Sequence, residues 1–296
     1  MRPKRFLPYA KVIFSVSVWG ASFIATKVVL REVSPVTVVW LRFGIGVLIL
    51  GLTNLWRRQL TLPGWKDGLY FGLLGFLGIT FHQWLQSTGL VTAQASTTAW
   101  IVATTPIFMA VLGWAFLRER LARSQLMGIV LAAIGVIGVV SKGDLASLVV
   151  GQFGTAGDVL ILISAANWAV FSALTRRGLD RHPATWMLFY VMGFGWLLVT
   201  GLLMTGPGLT EVGQLSLYGW LGVAVLGIAC SGLAYIFWYD GLQAIPTSQV
   251  GAFLYLEPLV AVIVAAMVLS EPILLVSLAA GGMILLGVWL VNLRPG

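Results

Sequence analysis

The apolar positions of this chain form neither a helical stripe nor an alternating strand pattern; they fill whole segments. Such runs cover residues 10–30, 35–55, 67–88, 93–117, 124–141, 157–176, 184–204, 217–239, 247–269 and 272–292. Each is near the roughly 20 residues a helix needs to cross bilayer hydrocarbon. A helix satisfies its own backbone polar groups, which lipid cannot do. The pattern therefore predicts an all-α membrane protein with ten transmembrane helices. Short connections carry charge or turn signals: Arg57-Arg58, Arg118-Glu119-Arg120, Arg176-Arg177 and Gly206-Pro207-Gly208. The longest, 142–156, contains Gly and Ser and divides the chain near its middle. No connection is large enough for a soluble catalytic domain.

Composition agrees. Of 296 residues, 59% are hydrophobic and 9% charged, where a soluble domain carries about a quarter charged residues. The single Cys230 excludes a disulfide framework or a cysteine metal cluster. Arg2, Lys4 and Arg5 precede a long apolar run with polar residues inside it, which reads as a retained first helix rather than a cleaved leader.

The net charge of +8 does not point to nucleic acid, because the basic residues lie in short connections between apolar runs. With a cytoplasmic N-terminus, one side holds 14 basic residues: Arg2, Lys4, Arg5, Lys11, Arg57, Arg58, Lys66, Arg118, Arg120, Arg123, Arg176, Arg177, Arg181 and Arg294. The other holds Lys27, Arg31 and Lys142, and Arg42 falls inside a run. Positive charge marks the cytoplasmic side, so both termini are expected there, which requires an even number of spans.

The chain also repeats itself. Ser15–Lys27 aligns with Ser164–Arg176, placing Trp19 on Trp168. Pro35-Val36-Thr37 matches Pro183-Ala184-Thr185. Thr105-Pro106, followed by Glu119, matches Glu257-Pro258, followed by Glu271. Offsets stay between 148 and 152 residues. The repeats are 1–141 and 157–296, joined by the 142–156 loop. Five spans per half is an odd number, so the second half is expected to run oppositely through the membrane, around a central cavity. Inverted repeats with a midplane site are a common plan of secondary transporters.

The motif from Trp19 to Lys27 (WGASFIATK), then Ser34-Pro35, Leu41-Arg42-Phe43, Thr105-Pro106, Leu117–Leu121, Leu256-Glu257-Pro258 and Ser270-Glu271-Pro272, resembles the EamA-type repeats of the drug/metabolite transporter superfamily. The resemblance covers nearly the whole chain. It implies ten helices, alternating access and movement of small metabolites, commonly export, with amino acids prominent among bacterial cargoes. Tyr190 stands where the second half would carry the counterpart of Arg42, so any role of Arg42 is not symmetric.

Polar groups inside hydrocarbon face the bundle or a water-filled path. Trp19 and Trp168 lie about ten residues into their helices, roughly 15 Å deep, too deep for an interfacial aromatic belt. They line a cavity or fill space where helices cross. His82, Gln83 and Gln86 cluster in the third run, and the repeat brings Tyr235 and Trp238 to the matching level of the eighth. His82 is a candidate proton carrier, set against a neutral histidine bridging helices. Trp100 shares a helical face with Thr97 and Thr104. Ser96 and Ser248 open their helices, where free amides suit a carboxylate. These residues, with Asn167, make up the candidate substrate site. Arg42 and Glu257 are deep charges with a gating or structural job. Lys27 snorkels or, less simply, meets a substrate carboxylate. Pro106 and Pro258 are expected helix bends. Gly128, Ala132, Gly135 and Gly138, with Gly281, Gly282 and Gly287, are small-residue packing faces, within one chain or in a homodimer.

The expected function is export of small metabolites, foremost amino acids including apolar and aromatic ones, across a bacterial inner membrane. The alternative is another small molecule, such as a nucleoside, sugar derivative or drug. A lipid flippase or scramblase is a further class, disfavoured because the deep residues are mostly aromatic and amide. An enzyme is not expected: no HExxH, paired intramembrane Asp or nucleotide loop occurs. The reading calls for no cofactor, metal or nucleic acid. The partners are substrate and lipid.

Overall fold

The computed structural model describes residues 6–117, 121–144, 154–245, 250–251 and 253–292. Among these there are helices and turns but no strand. In chain order, α1 is Phe6–Val29 and α2 Pro35–Trp56. The rod α3 runs through Trp65–Gly75, a π-helical Phe76–Phe81 and His82–Thr92. Two pieces make α4, Ala95–Val102 and Thr105–Leu117, and α5 is Arg123–Ser141. Next come α6 (Ala156–Leu179) and α7 (Ala184–Leu203). A short helix, Gly208–Val212, leads to α8 (Leu217–Ala244), whose middle, Val225–Leu233, is π-helical. The last two are α9 (Leu256–Leu269) and α10 (Leu275–Asn292).

Among the described residues, eight helices are long and apolar enough to cross a membrane: α1, α2, α4, α5, α6, α7, α8 and α10. The remaining two predicted runs fall short for physical reasons. Lys66, Asp67, His82, Gln83 and Gln86 make α3 the more polar rod. The ninth run is interrupted by a turn at Leu254–Tyr255, which leaves Leu256–Leu269 as a helix of 14 residues.

Burial is inverted relative to a soluble protein. Leu275 is 82% exposed and Met267 79%, while Ser15, Asn54, Thr98 and Ser164 are fully buried. Lipid covers the first group; the second group needs internal hydrogen bonds. Asn54 Nδ2 donates to Leu50 O at 2.8 Å and Thr185 O at 3.0 Å. The bundle is a multi-pass membrane protein.

Packing follows the small residues. The face predicted on α5 lies against α10 of the same chain: a Cβ on Gly128 would stand 2.5 Å from Gly287 O, and one on Gly135 2.7 Å from Ala280 O. In the other long interfaces, α1 packs on α8 and α9, α6 on α3 and α4, and α2 on α7 and α8. Pro106 and Pro258 do not kink continuous helices. Each sits in the first turn of a helix that restarts after a break, at Ala103–Thr104 and Leu254–Tyr255. Proline suits that place because first-turn amides have no helical acceptor.

Candidate functional site

The polar centre is built where α2, α3 and α8 meet. Arg42 and Gly46 are one turn apart on α2. A Cβ on Gly46 would lie 2.8 Å from Met192 Sδ and 3.0 Å from Ser231 Cβ, so the bare backbone admits α8 at this level. Ser231 Oγ thereby accepts from Arg42 Nε at 3.1 Å, while Nη1 donates to Gln83 Oε1 at 3.2 Å. The guanidinium also lies 4.9 Å from the Phe43 ring centre, and Arg42 is 4% exposed. Arg42 is not paired with Glu257. That residue occupies the first turn of α9, half-buried, with its backbone carbonyl against Gly20 of α1. Its carboxylate has no hydrogen-bond or ion-pair partner among the described residues.

Aromatic rings flank this centre. Trp19 lies 5.5 Å from Tyr235 and 5.2 Å from Trp238, and its indole N–H donates to Cys230 O at 3.2 Å. His82 packs 4.7 Å from Trp168, which in turn meets Phe171 at 4.8 Å. His82 Nδ1 is 3.1 Å from Ser164 O. A carbonyl can only accept, so Nδ1 carries the hydrogen and Nε2 is left as the other ring position. Asn167 Nδ2 donates to Leu77 O at 2.8 Å. Leu77 and Cys230 both belong to π-helical segments. Such segments shift the backbone register and present carbonyls to side chains, and here α6 and α1 each supply the donor.

The structure thus brings Gln83 and Tyr235 to Arg42, places Trp19 beside Tyr235 with Trp238 on its other contact, and sets His82, Asn167 and Trp168 on the neighbouring α3–α6 contact. Gln86, one turn beyond His82, is 7% exposed. Trp100 does not join them: it is buried in the apolar core against Gly281 of α10, and its indole N–H has no partner. The Ser96 amide is occupied by the protein's own acid. Glu271 accepts from Ala95 N at 2.8 Å, Ser96 N at 3.1 Å and Ser96 Oγ at 2.6 Å. Ser248 lies outside the described residues. Lys27 Nζ donates to Ala93 O.

Ser231 was not singled out from sequence, although it stands one helical turn from Tyr235. The contacts at the two ends of the bundle were also missed. At the end holding the start of α1, Asp240 bridges Lys11 at 2.6 Å and Arg57 at 3.6 Å, and His182 faces Asp67 at 3.4 Å. At the opposite end, carboxylates cap helix starts: Glu211 on Ser34 and Thr37, and Glu32 on Ser216. A cavity of about 260 Å³, lined by Thr92, Gln94, Thr97, Lys142, Asp144 and Asp158 among others, lies at that end, apart from the aromatic centre.

Comparison with known proteins is consistent along the chain. The family described as EamA-like transporter family matches residues 7–141 and 155–293. An "Uncharacterized transporter" of Archaeoglobus fulgidus is 27% identical over 282 residues, 94% of this chain and 95% of the relative. The Bacillus subtilis "Uncharacterized transporter YyaM" is 26% identical over 276 residues, 91% of this chain and 88% of the relative. A crystal structure of a protein 19% identical in sequence superposes with a TM-score of 0.64 over 96% of both chains, a likeness of fold.

Proposed function

This chain belongs to the EamA-like transporter family, and we propose that it is a secondary transporter that exports small metabolites, foremost amino acids with apolar or aromatic side chains. The observation that carries the reading is that Trp19, packed on Tyr235 and Trp238, donates to the carbonyl of Cys230, whose neighbour Ser231 joins the Arg42–Gln83 group. Flat rings beside hydrogen-bonding groups suit an amphipathic small molecule. His82, Gln86, Asn167 and Trp168 form a second wall, and alternating access exposes the pair of walls to either side.

Alternating access rests on ten spans in two inverted five-helix halves, 1–141 and 157–296, with the 142–156 loop between them. Helix packing supports that reading. Exchanging α1–α5 with α6–α10 turns the α1–α8 contact into α6–α3, α1–α9 into α6–α4 and α2–α8 into α7–α3. The α2–α7 and α5–α10 contacts map onto themselves. The two π-helical segments fall in the third and eighth rods. With both termini cytoplasmic in an inner membrane, the Lys11–Asp240–Arg57 group lies inside and the three glutamate caps outside. Substrate and lipid are the partners, and the α5–α10 small-residue face is used within one chain.

Counterflow in proteoliposomes with a panel of amino acids at two pH values tests the function. Aromatic and medium apolar amino acids are expected to exchange, and Trp168→Ala to slow them. Absence of exchange for every amino acid, alongside exchange of a nucleoside or sugar derivative, would replace the cargo.

A further inference from the structure

We propose that Arg42, together with Ser231 and Gln83, is the seat of a substrate carboxylate, so that the cargo is a small monocarboxylate carrying an apolar or aromatic body. The proposal rests on the transport reading above and names the group by which that site selects.

Arg42 is a cation with no anionic partner among the described residues. Lys11 and Arg57 share Asp240. Lys27, at the opposite end, has Glu271 and Asp158 in electrostatic range. The ionisable groups in range of Arg42 are Cys230, Tyr235 and His82, with no Asp or Glu among them. Arginine is almost never fully buried unless paired, yet this one is 4% exposed. Its two hydrogen-bond partners are the neutral Ser231 Oγ and Gln83 Oε1. A guanidinium has five N–H donors in a rigid fork. Two are engaged, and the other three have no acceptor among the described residues.

A planar carboxylate matches that fork with two parallel hydrogen bonds. One positive charge balances one negative charge, which favours a monocarboxylate over a doubly charged phosphate ester. Apolar rings stand beside it to meet the body of such a ligand: Trp19 donates to the carbonyl of Cys230, the residue before Ser231, and packs edge-on against Tyr235 and at a tilt against Trp238. A tie between helices needs donors but no charge, so Gln83 and Ser231 could be met as well by a neutral side chain. The second half offers no equivalent, since Tyr190 stands at the matching position and donates to Thr61 O at 2.8 Å. The site therefore binds one anion per chain.

The test uses compounds that share an indole body and differ in charge. Full-length protein in proteoliposomes exchanges labelled tryptophan against tryptophan, indole-3-propionate, tryptophan amide and tryptamine. Both carboxylates are expected to compete, and the amide and amine to compete about tenfold more weakly or worse, the loss of a charge-assisted pair. Arg42→Gln is expected to erase that preference while Arg42→Lys keeps part of it, a change in selectivity that a purely structural arginine does not produce. Equal competition by amide and carboxylate in wild-type protein overturns the proposal, and this arm stands even if the variants fail to fold. If wild type exchanges no amino acid, the same four compounds are read by thermal unfolding of purified protein. A carboxylate-selective shift lost in Arg42→Gln keeps the anion seat and discards the amino-acid cargo; no such shift overturns both.

Discussion

Glu211, in the short helix before α8, closes its carboxylate over Ser34 at the start of α2, accepting from the Ser34 amide at 2.9 Å and its hydroxyl at 2.7 Å. Glu32, from the connection before α2, does the same for Ser216 at the start of α8, at 2.7 Å from both amide and hydroxyl. The two acids exchange caps between the halves of the chain. Carboxylates are favoured at helix N-termini because free amides and the helix dipole converge there.

This reciprocal capping predicts acid sensitivity. Burial raises the Glu211 carboxyl, but hydrogen bonds from Thr37 and Ser34 outweigh it and hold the group below its ordinary 4.5. Hydrogen bonds from Ser216 lower Glu32 likewise. A carboxyl depressed on folding stabilises the native state above its unfolded value, and that contribution is lost as pH falls through the folded value. Thermal unfolding in detergent should therefore show Glu211→Gln less stable by about 1 kcal/mol at pH 7, with the gap narrowing below pH 4.5. A gap that stays constant down to pH 3 would falsify the capping account.

The Lys11–Asp240–Arg57 group ties α1, α8 and α2 at the other end. Side chains of Lys11 and Asp240 are 27% and 23% exposed, so water screens the pair. A double-mutant cycle on Lys11→Ala and Asp240→Ala should give a coupling of about 0.5–1 kcal/mol, shrinking at 1 M salt. Zero coupling at low salt means the contact contributes nothing.

Two glycines of α3 should respond oppositely to alanine. A Cβ on Gly75 would lie 2.6 Å from both Gly195 N and Val191 O, backbone atoms that cannot move aside, whereas nothing stands within 4 Å of one on Gly72. Gly75→Ala is expected to destabilise by about 1–3 kcal/mol. Gly72→Ala should be neutral or slightly stabilising, since alanine favours helix. Unfolding midpoints of the two variants, measured side by side, decide it.

Trp19→Ala and Trp100→Ala test the proposed binding role of Trp19 against the packing role of Trp100. Trp19→Ala should slow exchange of aromatic substrates about tenfold with a smaller effect on small apolar ones. Trp100→Ala, which empties a core site against Gly281, should lower stability by about 3 kcal/mol and leave the substrate order unchanged. An altered substrate order in Trp100→Ala would return that residue to the binding site.

The helical membrane class was legible from the chain because long apolar runs are a local property, and nothing in the fold can overrule their need for lipid. That Arg42 and His82 are polar groups within helices was legible for the same reason, and both are buried in the bundle. Which polar groups meet was not, because that depends on helix rotation. The sequence marks Arg42 and Glu257 as two deep charges, but Gly46 admits Ser231 to Arg42, while Glu257 turns up at the restart of α9.

The π-helical segments Phe76–Phe81 and Val225–Leu233 were equally hidden. Their wider turns answer donors from other helices, Asn167 and Trp19, and no residue within the segments announces them. The amide ends behaved likewise. Ser96 looked open to a ligand until Glu271, 175 residues away, filled it. Continuous apolar runs thus determined that the chain folds as membrane-crossing helices. Tertiary structure alone chose the partners, because a hydrogen bond needs two groups within about 3 Å and chain order places only one of them.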